Sequence, residues 1–472
     1  MKTKRTKRVL AALLALALMW NLSACGAAAA VRELIPGAAG KEAAEETSEE
    51  MEAVGDASAE NETAGETSGE NEAAGEAFGE NEAVLENDAS GENETAPENE
   101  ASGMLAALDN VMSDTGYSGA GPSDAAEEIL RNMTLEQKIA QLFFVSPEAL
   151  TGVSGVTRTG DIMKSSFAAC PVGGLLYSAP NLQTPEQTTE MLTALQQFAT
   201  ETSGFPVFIS IDEEGGRVKR IGGNAAFGET DVGSMKSIGD TGDITAAKQA
   251  GNTIGGYLHR YGFNMDFAPD ADVLTNPDNT VIGNRSFGSD AQMVSAMAAA
   301  YSGGLAANGI LACYKHFPGH GGTGEDSHEG FAYTYKTPEE LRACDLVPFA
   351  DGIKGGVKVI MAAHVSCPGV TGNDTPATLS PEIITGILRK DLGFDGIIIT
   401  DALDMGAISN HYGRAEACVK ALQAGCDMLL CCGEFRTGYE GVLAAVRSGG
   451  IPESRIDESV LRILRVKETI GR

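Results

Sequence analysis

Several polar clusters stand directly behind short apolar runs, and their residue types fit acid, base and nucleophile chemistry. Asp401 closes the run Gly396–Thr400, which sets its carboxylate at the edge of a buried segment with apolar walls around it. A carboxylate so placed can attack an anomeric carbon or stabilise an oxocarbenium ion. It can also serve as a plain helix N-cap for the residues after Ala402. Lys315-His316-Phe317-Pro318-Gly319-His320-Gly321 follows another apolar run, and its Lys and His can donate to sugar hydroxyls. His316 and His320 have the spacing of a metal pair on one helix face, but Pro318 and Gly319 between them argue against a helix, so no metal is expected. Asp326 and His328 lie two apart in a glycine-rich loop, where the carboxylate can fix the imidazole tautomer and raise its basicity, a proton-transfer pair on a lid. Asp212-Glu213-Glu214, the pair Asp270 and Asp272, and His364 complete the set.

The apolar runs themselves number eight: 142–145, 174–177, 207–211, 265–268, 310–314, 357–362, 396–400 and 427–431. Helix-length amphipathic segments lie between most of them, including 185–198, 244–260, 290–307 and 338–353, and a last helix is expected near 460–469. Ser123 or Asp124 can cap a helix to about Asn132, and Thr134 with Gln137 reads as a capping box. Eight strand–helix units in about 350 residues predict an α/β fold, a single (β/α)8 TIM-type barrel spanning residues 123–472. Chemistry in such barrels gathers at the carboxyl ends of the strands, which is where the polar clusters fall.

Two further segments precede the barrel. Lys2, Lys4, Arg5, Lys7 and Arg8 lead into an apolar run of 12 residues, Val9 to Trp20, too short to span a bilayer and suited to a secretory signal. It ends in Leu22-Ser23-Ala24-Cys25, similar to a bacterial lipobox, so residues 1–24 are read as a lipoprotein signal peptide and Cys25 as the lipidated residue, the partner being the lipid bilayer. Residues 25–122 are read as a disordered acidic tether, because Gly69-Glu70-Asn71-Glu72 recurs at Gly79 and Gly91 in a background too polar to build a core. Residues 41–100 hold 21 Asp and Glu against one Lys, 20 of the 32 net negative charges, and such a surface repels nucleic acid. The eight cysteines after Cys25 show no C-x2-C spacing and are expected to pack as small hydrophobes.

Taken together, the clusters resemble glycoside hydrolase family 3, in its β-N-acetylglucosaminidase branch. The resemblance rests on nine motifs in order: 212–220, Asn264-Met265-Asp266-Phe267-Ala268-Pro269, Ile282-Gly283-Asn284-Arg285-Ser286-Phe287, 315–321, Asp326-Ser327-His328, Leu346-Val347-Pro348-Phe349, Met361-Ala362-Ala363-His364-Val365, 376–380 and 400–405. It implies a retaining hydrolase acting on terminal β-linked N-acetylglucosamine without a cofactor. By resemblance, Asp401 is the nucleophile, His328 the general acid/base with Asp326 as its partner, and Asp212, Arg220, Arg285, Lys315 and His316 hold the sugar. Glu213, Asp270 and the Glu329-Gly330-Phe331 run after His328 depart from the family's usual residues and leave the leaving-group preference open. Cell-surface placement points to peptidoglycan fragments as substrate. The rival readings are a phosphorylase using the same site and a sugar-binding lipoprotein without catalysis.

Overall fold

The computed structural model describes residues 124–470, so the signal peptide, Cys25 and the tether lie outside the described residues. Eight parallel strands follow one another in the chain: β1 Phe143–Val145, β2 Gly174–Leu176, β3 Phe208–Ile211, β4 Met265–Asp266, β5 Leu311–Phe317, β6 Val359–Ala362, β7 Ile397–Thr400 and β8 Leu429–Cys431. From β1 to β7 each pairs with the next, and β8 pairs with β1 through Phe143↔Leu429 and Val145↔Cys431. A parallel bridge, Ile399↔Met428, joins β7 to the approach of β8 and closes the ring. All eight expected apolar runs therefore become barrel strands, most of them a residue or two shorter. The fifth is longer and continues through Lys315 and His316 to Phe317.

Burial explains why the runs are continuous and not alternating: helices cover the outside of the ring, and side chains fill its inside. Nearly every strand residue is buried, and the rings of Phe144, Phe208 and Phe267 meet at 5.1 to 6.4 Å. Gly174 makes room for them, since a Cβ there would lie 2.3 Å from the Phe144 ring. The helices start as the caps predict. Thr134 accepts from Gln137 N and the Gln137 side chain accepts from Thr134 N, the expected capping box of helix Leu135–Gln141. Helices Ile244–Tyr261 and Ala291–Ala306 cross with backbones in contact, as a Cβ on Gly251 would sit 2.0 Å from Tyr301 O. The expected helix over 338–353 is broken into Pro338–Ala343 and Val347–Lys354, because Leu346-Val347-Pro348 restarts it. The sequence did not announce the short parallel pair of Ala332–Tyr333 with Val365–Ser366.

Six of the eight cysteines are buried, and none of the eight is bridged to another, as fits packing residues. At the amino end of β8, buried Asp427 accepts from Ile398 N at 2.9 Å and Ser459 Oγ at 2.7 Å, and it pairs with Arg389, Arg455 and Arg462. That cluster pins helix Glu453–Lys467 to the barrel floor, away from the carboxyl ends of the strands.

Candidate active site

The site is built from the residues that follow each strand at the carboxyl-end rim. Asp401 comes directly after β7, its N–H donating to Ala362 O at 2.8 Å while its Oδ1 accepts from Ala402 N at 2.7 Å. It does not cap a helix, because the next helix, Gly406–Ser409, starts several residues later behind Met405. Burial opposes its charge, but His364, His316, the Ala402 N–H and Lys315 together hold the carboxyl below the usual carboxylate range. It is therefore an ionised carboxylate, the state a nucleophile requires.

Beside it runs a chain of charge pairs. Lys315 Nζ, from β5, donates to Asp212 Oδ1 at 2.8 Å and lies 2.6 Å from Glu214 Oε1, with Asp212 and Glu214 just past β3. Arg285 grips both Glu214 oxygens at 2.8 Å and reaches His316 Nε2 at 3.2 Å. A guanidinium only donates, so His316 accepts through Nε2 and its Nδ1–H faces Asp272 Oδ2 at 2.7 Å. Arg220 stands 4.0 Å from Asp212 and closes the arc. Burial works against Glu214, yet Arg285 and Lys315 hold it well below the usual range. Burial likewise works against charged Lys315, and Asp212 with Glu214 more than offset it, so the ammonium persists. The structure thus brings together Asp212, Arg220, Arg285, Lys315 and His316, the five expected sugar-holding residues, around Asp401.

Asp326 and His328 sit on the loop after β5. His328 Nδ1 lies 2.8 Å from Asp326 Oδ1, which also accepts the His328 N–H at 2.8 Å. Burial pushes the Asp326 carboxyl up, and the two His328 groups outweigh it and bring it below the usual range. His328 keeps 62% of its side chain exposed, so Nε2 is open to a substrate. The loop is docked: His328 O accepts from Gly406 N at 3.1 Å, Ser327 O from Ala407 N at 3.1 Å, and Ser327 Oγ meets His320 Nε2 at 3.0 Å. The pair is thus formed while tied to the segment just behind Asp401.

Four residues gained a role that the sequence had not assigned. Glu214 is the hub of the charge chain, Asp272 orients His316, and His320 anchors the loop. Buried His364 contacts Ala402 O through Nε2 at 3.0 Å beside Asp401, and burial lowers its pKa. The signal was present as alternation: past β3, residues 212 and 214 face the site while Glu213 turns away. Both Glu213 oxygens are consumed by Arg220 N, Ile221 N, Gly222 N and Tyr257 Oη, which removes it as an acid. His316 and His320 do not converge on a metal, since His320 is held between Ser327 and Thr323. Asp270, Asp272 and His316 do offer three ligand atoms within 4.8 Å, and burial with Asp272 alongside pushes Asp270 well above the usual range. Arg285 already faces that trio, 3.6 Å from Asp270 Oδ2, and supplies its counter-charge.

Residues 134–466 match the family described as the glycosyl hydrolase family 3 N-terminal domain. The chain is 36% identical over 321 residues to β-hexosaminidase A of Pseudoalteromonas piscicida, covering 63% of this chain and 53% of that protein. It is 37% identical over 304 residues to β-hexosaminidase LpqI of Mycobacterium tuberculosis, covering 63% and 76%. Its fold superposes with a TM-score of 0.67 on a glycoside hydrolase family 3 β-N-acetylglucosaminidase from Paenibacillus sp. str. FPU-7, at 39% identity over 71% of this chain and 62% of the other. The chain thus spans little more than half of the first of these relatives and three quarters of the second.

Proposed function

This chain belongs to glycosyl hydrolase family 3, and we propose that it is a retaining β-N-acetylhexosaminidase releasing terminal N-acetylglucosamine from β-linked glycans. The observation that carries the reading is the pairing of an ionised Asp401 with a docked Asp326–His328 pair on the same rim. The names of the relatives, β-hexosaminidases and a β-N-acetylglucosaminidase, support it. In the first step the Asp401 carboxylate attacks C1 while imidazolium His328 gives its Nε2 proton to the departing oxygen, breaking the C1–O bond. In the second step neutral His328 takes a proton from water, whose oxygen displaces Asp401 from C1 and restores the original configuration. Asp212, Arg220, Arg285, Lys315 and His316 hold the sugar hydroxyls and acetamido group, with Glu214 and Asp272 fixing their orientation.

The proposal extends to place. The residues Leu22 to Cys25 and the acidic segment support an enzyme tethered through lipid on Cys25 to the outer face of the cytoplasmic membrane, acting on peptidoglycan-derived fragments. The test is turnover of 4-nitrophenyl N-acetyl-β-glucosaminide with and without phosphate. Free N-acetylglucosamine at a rate independent of phosphate is expected. A sugar 1-phosphate product identifies a phosphorylase, and binding without turnover identifies a sugar-binding protein.

A further inference from the structure

The loop that carries His328 continues into a row of aromatic rings facing water. Phe331 lies three residues past His328 and stacks on His411 at 4.0 Å with 11° between planes. Tyr333 meets the Phe331 ring edge at 6.2 Å, and Tyr335 stacks on Tyr333 at 5.8 Å and 7°. These are alternate residues of an extended segment, so they share one face, while Ala332 and Thr334 between them are buried. The segment is fixed in place: Ala332 and Tyr333 pair with Val365 and Ser366 at the exit of β6, and Thr334 N donates to Ser366 O at 3.0 Å. The apolar polarity of a surface strand is here inverted, with aromatic rings outward and small side chains inward. Tyr335 is 73% exposed, more than any other exposed large hydrophobic among the described residues. A fixed apolar row of this kind, half-buried at Phe331 and Tyr333 and open at Tyr335, marks a binding surface.

Position identifies the occupant. If His328 protonates the leaving-group oxygen, as the proposed function has it, whatever lies beyond it along its own loop lies on the leaving-group side. Asn410 Nδ2 donates to Glu329 O at 3.1 Å, which holds His411 and the loop together and makes the row continuous with the acid/base. We propose that Phe331, Tyr333 and Tyr335 form a platform for the second and later sugars of a β-linked amino-sugar oligosaccharide. The C–H groups of pyranose rings pack against the ring surfaces that this stacking leaves open, and the tyrosine hydroxyls reach the sugar rim. The platform makes the enzyme select oligomers over single-sugar glycosides.

The experiment compares kcat/KM for 4-nitrophenyl N-acetyl-β-glucosaminide with that for the β-1,4-linked dimer, trimer and tetramer of N-acetylglucosamine, using the full chain. In the wild type kcat/KM rises with chain length. Tyr335→Ala and Tyr333→Ala each lower kcat/KM for the tetramer by about threefold to tenfold, mainly through KM, and leave the aryl glycoside unchanged. Tyr335→Trp keeps the preference for oligomers. Equal losses on aryl glycoside and tetramer, or no loss on the tetramer, overturn the platform. Should no substrate turn over, the catalytic reading fails by itself. The platform is then decided by calorimetric titration with the tetramer, where equal affinity of wild type and Tyr335→Ala overturns it.

Discussion

At the scale of single residues, the proposed acid/base is notable as an imidazole in a role that a carboxylic acid commonly serves. In the proposed mechanism His328 is protonated to expel the leaving group and neutral to activate water, and Asp326 serves both states by holding Nδ1 at 2.8 Å and leaving Nε2 outward. The two residues form one unit. Asp326→Asn and His328→Ala are therefore expected to be non-additive, the double variant losing little more than His328→Ala alone. His328→Ala loses roughly a hundredfold to ten-thousandfold on substrates with poor leaving groups. It spares the first step for phenolates that need little protonation, so the glycosyl-enzyme accumulates and azide restores turnover. Rates across a series of aglycones of different acidity check this. A uniform loss with no accumulated intermediate removes His328 from the role, and Glu325, whose Oε2 lies 3.3 Å from Tyr333 N on the same loop, becomes the candidate acid.

At the scale of elements, the site depends on side chains from β5 and the turn at Gly283–Arg285 locking onto one buried carboxylate, Glu214, just past β3. Glu214 in the fold sits below its unfolded value near 4.3, so its ionic contribution is full above that value and fades as pH falls towards the folded value. Glu214→Gln leaves Arg285 and Lys315 short of a counter-charge and is expected to cost about 3–5 kcal/mol at pH 7. Denaturant unfolding of both proteins between pH 7 and pH 3 checks the sign: the gap stays level down to about pH 4.3 and narrows below it. A gap that is unchanged at pH 3 means that the contribution is not ionic. The strands that carry these groups were legible in the sequence, because each is a short buried run flanked by turn residues, and Asp401, Lys315 and His316 were legible because they end such runs. Glu214 and His364 stood among the polar clusters, but their roles were not legible. A carboxylate among three in a row gains its meaning from which way the chain turns after Ile211, and a lone His after β6 from the Ala402 carbonyl that β7 brings to it. The aromatic row escaped notice because its alternation runs outward, with no core to predict it.

At the scale of the whole molecule, the barrel carries its own closed ring, its own core and every residue of the candidate site within 124–470. The 20 net negative charges of residues 41–100 are therefore expected to have no part in the proposed chemistry. A chain starting at Ser123 is expected to be soluble and to match full-length kcat and KM, measured on the aryl glycoside; loss of folding in that chain contradicts a separable tether. The proposed mechanism rests on one covalent bond, between Asp401 and C1 of the sugar. Incubation with a 5-fluoro-N-acetylglucosaminyl fluoride, which forms the glycosyl-enzyme faster than it breaks down, followed by peptide mass mapping, tests it directly. The expected result is one sugar per chain, attached at Asp401 within the peptide containing Thr400-Asp401-Ala402. A sugar attached to any other residue, or hydrolysis that inverts the anomeric configuration, contradicts it.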